Sequence, residues 1–406
     1  MAPVIDSQNA HRATCPTTLF YGSETLIATT HPFRRTLSAF GIAAALVALG
    51  THSAAATPTL EPTVASLAEY LTATAPTTPD GRPTAIADTG SSSGSGSGSS
   101  SRASDTIGEG PSMSAYLPAF AYGLLNPDAA PPKANRWDCK PTAAHPRPVV
   151  LLHGTWLNAY DTFSYLSPRL ADAGHCVFTL NFGKSTLLEA GGLGAILPGR
   201  NGVGPMVESS GQVAAFIERV LAATGAEQVD IVGHSQGATI ANHYLKFDGG
   251  RGKVATLVSF GGTHHGTSLL GIATLGRMIN NAGIDILGFY RPIIGAANVE
   301  QAIGSPFYTT LNADGDTVPG VHYTVVGSRY DEVMNPLDLG FLVAGPDATV
   351  DNITLQAGCE QDVSDHLTMM YSPRAASIAL HALDPASGPE LACTFNPWFF
   401  GGGGSL

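Results

Sequence analysis

The chain has 406 residues, 44% of them hydrophobic and 13% charged; that much apolar material excludes wholesale disorder and points to a large buried core. Acidic residues outnumber basic ones 32 to 20, a formal charge of −12. Such a chain lacks the Lys/Arg surplus that drives binding to nucleic-acid phosphates.

Arg34-Arg35 precede an apolar stretch from Ala39 to Gly50, and Ala54-Ala55-Ala56 follow. This is the charged region, apolar core and small-residue cleavage site of a secretory leader, with cleavage expected after Ala56. The apolar stretch is too short to anchor in a bilayer, and no uncharged apolar run in the mature region approaches the roughly 18 residues of a spanning helix. Residues 1–33 exceed what a leader needs, as an upstream-assigned start codon would explain. The twin arginine hints weakly at Tat export, since Leu37-Ser38 follow where a bulky pair is usual. An exported, extracellular protein is expected, and a cell-wall-associated one is an open alternative.

Residues 57–111 are dominated by Thr, Pro, Ala, Gly and Ser, and Gly90 to Ser101 contains only Gly and Ser. Such a segment buries too little to offset its ordering entropy and reads as a flexible linker. One domain over 112–400 and a flexible tail over 401–406 remain. After leader removal four cysteines are left, Cys139, Cys176, Cys359 and Cys393. An even number in an exported chain implies two disulfides. Of the three connectivities, Cys139–Cys176 with Cys359–Cys393 is preferred because each is local. The spacing has no close cysteine pair, so it fits no zinc site.

In chain order, Pro148 to Leu152 reads as a buried strand ending at His153-Gly154-Thr155. Tyr165 to Ala173 is helix-like, and Cys176 to Leu180 is a second strand. Val207 to Thr224 has apolar residues at spacings of three and four, the mark of an amphipathic helix. Gly225 is placed as its C-cap. Val229 to Val232 is a strand, Thr239 to Lys246 a helix, and Val254 to Phe260 and Tyr323 to Val326 are further strands. Strands alternating with helices imply an α/β fold with a mainly parallel sheet covered on both faces and ligands at the strands' carboxyl ends.

Gly233-His234-Ser235-Gln236-Gly237 directly follows an apolar strand and opens a helix. This is a G-x-S-x-G nucleophile elbow in its required context. The glycines let the turn tighten until Ser235 is exposed on a strained backbone. The Gln236 amide then points at the same place and can donate to an oxyanion. The Thr155 amide, on the loop after the first strand, is the second candidate donor. His153 is expected to pack behind that loop rather than react.

In the fold that carries this elbow the order is serine, acid, histidine. Asp331 follows the Tyr323 strand and is the candidate acid, with Glu332 its rival; Asp314 and Asp316 precede the strand and suit a turn. His366 is the candidate base. His381 sits in a helix-like stretch, and His322 is out of order. His264 and His265 either line the cleft or bond locally.

These motifs resemble the bacterial class 2 lipase family of the α/β-hydrolase fold. The matching run includes Trp137-Asp138-Cys139, Pro148 to Trp156, Asn158, Tyr160-Asp161 and Phe163. It continues through Cys176-Val177-Phe178, Gly202 to Pro205, Gly233 to Gly237, Arg329 to Val333 and Asp365-His366-Leu367. The resemblance spans essentially 112–397. It implies Ser235 as nucleophile, Asp331 as acid, His366 as base, and Thr155 and Gln236 as oxyanion amides. Phe182, where Tyr is usual, and Ala238, where Gly is common, depart from the pattern without touching the chemistry.

The implied activity is hydrolysis of acylglycerol or other carboxylic esters, with a lipid or ester substrate met at a lipid–water interface. No organic cofactor and no metal is expected, since no compact carboxylate loop offers a calcium site. Gly266 to Phe307 and Leu187 to Pro205, apolar and poor in charge, are expected as a lid or cap or as an acyl-chain wall. Packing of both stretches permanently into the core is the competing expectation. Polyester depolymerisation, acyl transfer and a non-catalytic surface-binding role are the alternative functions.

Overall fold

A computed structural model describes residues 101–189, 191–268, 295–386 and 388–402. The expected leader, the linker up to residue 100, the middle of the expected lid (269–294) and the last tail residues lie outside the described residues.

The strands are β1 Arg102–Ser104, β2 Ile107–Glu109, β3 Ala129–Ala130, β4 Val149–Leu152, β5 Val177–Thr179 and β6 Asn181–Lys184. They continue as β7 Val229–His234, β8 Val254–Phe260, β9 His322–Gly327 and β10 Thr349–Thr354. The helices are α1 Tyr116–Leu125, α2 Ala159–Phe163, α3 Leu166–Asp172, α4 Met206–Thr224, α5 Gln236–Phe247, α6 Ala296–Glu300, α7 Pro306–Leu311 and α8 Pro373–Leu383.

Six strands form one sheet in the order β10-β9-β8-β7-β4-β5. Every pairing in it is parallel. Alternate residues of its strands feed two separate cores. Val150, Leu152, Ile231, Leu257 and Tyr323 pack with α4 and α5 on one face. Val149, Leu151, Val232, Val258 and Val326 pack with α1, α3 and α8 on the other. Burial on both faces is why these strands read as continuous apolar runs rather than alternating ones. A parallel sheet wrapped by helices on both sides, with a strand–elbow–helix at its centre, is the α/β-hydrolase fold.

Helix α4 starts one residue before the expected Val207. It ends at Gly225, whose left-handed backbone (φ 77°) lets its N–H return to Leu221 O at 2.8 Å; a side chain there would be strained. Strand β10 was not legible in the sequence. It is a polar edge strand, TVDNIT, with no residue fully buried, so it lacks the apolar signature of its neighbours. Ordered structure also begins earlier than the linker composition suggests. Arg102–Ser104 pairs with β6, and Ile107–Glu109 pairs with β3. Two disulfides are present, Cys139–Cys176 and Cys359–Cys393. Among the described residues no helix is long and apolar enough to cross a membrane.

Candidate active site

Five chain segments meet at the carboxyl ends of the sheet strands: the loops after β4, β7, β8, β9 and β10. The sharpest feature is the turn from β7 to α5. Ser235 sits there at φ 54°, ψ −126°, a region that residues with a side chain rarely occupy. The surrounding glycines are required by space. A Cβ on Gly233 would lie 2.5 Å from the backbone of Ala238, and one on Gly237 would lie 2.2 Å from Leu152 O. Helix α5 therefore approaches the end of β4 at backbone contact distance. The elbow and the Gly154-Thr155 loop are held side by side as a result.

His366 Nδ1 and Asp331 Oδ2 are 2.8 Å apart. The other carboxylate oxygen, Asp331 Oδ1, accepts from the amides of Val333 at 2.8 Å and Met334 at 2.7 Å. Burial alone would raise the Asp331 pKa, but the facing imidazole and those hydrogen bonds hold it below the usual carboxylate value. Burial likewise works to lower the His366 pKa, yet Asp331, with Glu332 and Asp365 nearby, raises it above 6.5. Glu332 does not face the ring: its Oε2 accepts from the His366 backbone N–H at 3.3 Å. Geometry thus separates the two adjacent acids.

The loop carrying His366 is heavily tied. Asp365 Oδ1 accepts from Leu367 N, Thr368 N and Thr368 Oγ1 at 2.7–3.0 Å, and its Oδ2 accepts from Phe399 N at 2.7 Å. Ser235 and His366 are both buried. No hydrogen bond joins Ser235 Oγ to His366 Nε2 among the described residues. Such bonds are often long before substrate arrives.

Neither the Thr155 nor the Gln236 backbone N–H makes a hydrogen bond among the described residues. The Ser235 N–H, in contrast, is spent on Phe260 O at 2.9 Å. The Thr155 side chain is held by Gln301, whose Nε2 donates to Thr155 Oγ1 at 2.7 Å. His153 packs behind the loop, as the sequence suggests. Its Nδ1 meets Gly154 O at 2.8 Å, its Nε2 accepts from Phe182 N at 3.2 Å, and its ring stacks on Phe182. Full burial lowers its pKa to about 4, so it is neutral. The Phe at 182 is thereby accounted for as a stacking partner.

The remaining histidines are engaged elsewhere. His264 pairs with Ser259 Oγ at 2.9 Å, His265 with Asp316 at 3.0 Å, and His322 with Asp351 at 3.3 Å. His381 lies on α8, as expected. Asp316 also accepts from Val343 N at 2.8 Å and so ties loops rather than joining the site.

Sequence reasoning passed over His234. It occupies the first variable position of the elbow motif, and its Nε2 lies 2.8 Å from His366 O, with the two rings 5.0 Å apart. Burial lowers its pKa to about 3. It therefore supports the His366 backbone as a neutral donor. The motif treats this position as free, so no local signal marked it.

The two expected lid segments differ. Over 295–307 the described part belongs to the core, with Ala296, Ala297, Ile303 and Phe307 buried; over these residues the packed-core expectation holds. In the other segment Leu187, Leu188, Ile196 and Leu197 are exposed, whereas 200–204 is buried against the loop after β4.

A strained serine at a β-strand-to-helix turn, a buried histidine–carboxylate pair and two unengaged amides are gathered at the strand ends of an α/β-hydrolase frame. Residues 146–345 match the model of class 2 lipases, a match that places this region in that family. Among solved structures it is similar to Aspergillus fumigatus lipase B, at 21% identity and a TM-score of 0.46, covering 62% of this chain and 56% of that one. It is also similar to the mature Bacillus licheniformis lipase BlEst2, at 15% identity and a TM-score of 0.41, covering 60% and 94%. A monoacylglycerol lipase from Paleococcus ferrophilus matches at 17% identity and a TM-score of 0.33, covering 51% and 86%.

Proposed function

We propose that the protein is an exported serine ester hydrolase acting on acylglycerols, with Ser235 as nucleophile, His366 as base and Asp331 as the acid that orients it. The observation that carries this reading is the 2.8 Å His366–Asp331 contact at the same strand ends as a serine held at positive φ.

In the reaction, His366 Nε2 takes the proton from Ser235 Oγ as that oxygen attacks the ester carbonyl carbon. The carbonyl oxygen becomes an oxyanion and accepts from the Thr155 and Gln236 amides. His366 returns the proton to the departing alcohol, leaving an acyl-Ser235. Water then gives a proton to His366 and attacks the acyl carbon; the bond from that carbon to Ser235 Oγ breaks, Oγ takes the proton back from His366, and the carboxylic acid leaves. Asp331 stabilises the transient imidazolium without itself taking the proton. Each oxyanion donor contributes about 10²–10³-fold in such sites.

An apolar substrate is supported by the exposed Trp156, which directly follows Thr155, and by the exposed Leu187, Leu188, Ile196 and Leu197. Export is supported by the leader pattern and the two disulfides, which persist in oxidising compartments.

The test is hydrolysis of p-nitrophenyl esters from two to sixteen carbons by the exported protein and by Ser235→Ala, with fluorophosphonate labelling of both. Long-chain activity and labelling that both vanish in the variant are the expected result. Activity confined to short chains would make it an esterase. Product analysis with an added alcohol would reveal acyl transfer. Activity that survives in Ser235→Ala would defeat the reading.

A further inference from the structure

Arg200 is a buried cation that the reaction above does not use. Its side chain is 2% exposed and that of its partner Asp161 is fully buried, with Nη2 and Oδ2 2.8 Å apart. Removing two such charges from water is costly, and an apolar pair of similar volume often serves stability as well. The placement of this pair therefore calls for another reason.

The guanidinium works in two directions at once. While Nη2 holds Asp161, Nη1 donates to Trp156 O at 2.7 Å, and the Phe120 ring lies 4.5 Å from the guanidinium carbon. Asp161 is in turn fixed by a reciprocal cap with Asn158: each side chain accepts from the other's backbone N–H at 2.8 Å.

Trp156, the residue pinned by Arg200, is one position beyond Thr155. Its backbone is left-handed, at φ 58°, a conformation a bulky residue avoids. Its N–H donates to Asn201 O at 2.9 Å, and Asn201 N–H donates back to Leu157 O at 3.0 Å. Both peptides that flank the Trp156 Cα are thus clamped by residues 200 and 201. The next residue closes against the same loop: a Cβ on Gly202 would lie 2.9 Å from Gly154 O and 3.2 Å from Thr155 Cα.

We infer that Arg200, anchored on Asp161, is a positioning residue: it pins the Trp156 carbonyl, maintains the left-handed turn there, and so aims the Thr155 N–H at the oxyanion. The inference rests on the ester-hydrolase reading above. Without the clamp the Trp156 backbone relaxes toward negative φ, and the movement passes through the 155–156 peptide and the Thr155 Cα to the 154–155 peptide, which carries the Thr155 N–H. A lysine cannot replace the arginine, because an ammonium lacks the planar fork that meets a carboxylate and a carbonyl from one rigid group.

The test compares Arg200→Lys, which keeps the charge beside Asp161, with the neutral pair Arg200→Gln/Asp161→Asn. Each is assayed on a p-nitrophenyl ester and on the corresponding thionoester, whose sulfur is a poor hydrogen-bond acceptor. Misaiming a donor by about an ångström costs on the order of 10²-fold. The expected result is a kcat loss of roughly 10–100-fold on the ester with KM changed by less than about threefold. The ester-to-thionoester ratio of kcat/KM should shrink by about tenfold, because the oxyanion amide contributes less to the thionoester.

A purely structural role would lower both substrates equally and leave that ratio fixed. An unchanged ratio in either folded variant overturns the inference. Activity that persists in Ser235→Ala defeats the ester reading itself, and this inference with it.

Discussion

Gly237 sits at the second position of α5, where helix propensity and packing give opposite predictions for alanine. Propensity alone favours Gly237→Ala by about 1 kcal/mol. The added Cβ, however, would lie 2.2 Å from Leu152 O and 2.6 Å from His153 O. Relief to ordinary contact requires a displacement of about 1 Å, and both obstacles are backbone, so no side chain can swing away. Overpacking of this kind costs about 1–3 kcal/mol, so after the propensity gain the net effect is destabilisation of up to about 2 kcal/mol. The displacement opens the space between β4 and α5, the two elements that carry Thr155 and Gln236. A shift of that size costs on the order of 10²-fold in rate.

The control is Gly211→Ala on α4, where nothing lies within 4 Å of the new Cβ. Propensity acts alone there, giving about 0.5–1 kcal/mol of stabilisation with activity unchanged. The assays are kcat/KM on a p-nitrophenyl ester and the urea midpoint. If Gly237→Ala stays within threefold of wild-type activity, or gains stability as Gly211→Ala does, the close-approach argument for the elbow is wrong.

Two further outcomes follow from the site and its frame. Asp331→Asn should lower kcat by about 10⁴-fold. It should also move the acid limb of kcat/KM to lower pH, because His366 must be neutral to act and Asp331 is the leading cause that raises its pKa above 6.5. The sign carries over to stability. A histidine with a raised folded-state pKa stabilises the fold below its unfolded value, and that contribution is lost as pH rises through the folded one. An acid limb that does not move in Asp331→Asn would show that another group sets it. Replacing Cys359 and Cys393 by alanine opens a crosslink with a sequence separation of 34 that encloses His366. The loss should be about 4 kcal/mol by loop entropy, read from urea unfolding, and a midpoint equal to that of the oxidised wild type would contradict it.

Residue identity alone settled much of this protein. Apolar runs at Val149–Leu152, Val229–Val232 and Val254–Phe260 could only be buried strands, and the glycines flanking Ser235 announced a turn too tight for side chains. The candidate serine, acid and histidine fell in an order that the strand sequence made readable. Polar strand β10 was hidden, because an edge exposed to water carries no apolar pattern. The sequence favoured Asp331 over Glu332 but gave no geometric reason for the choice. Neighbours in a chain differ only by which way the backbone turns them, and it is the turn after β9 that aims Asp331 at His366 Nδ1 and Glu332 at its backbone.

Tertiary structure alone brought Arg200 to Trp156 and His234 to His366, since hydrogen bonds between loops from distant strands leave no local periodicity. The sequence determined which elements could form and where a reactive serine could stand. Folding decided which carboxylate faces the imidazole and which buried charge steadies the loop beside it, because those outcomes depend on distances between segments and not on the residues of any one of them.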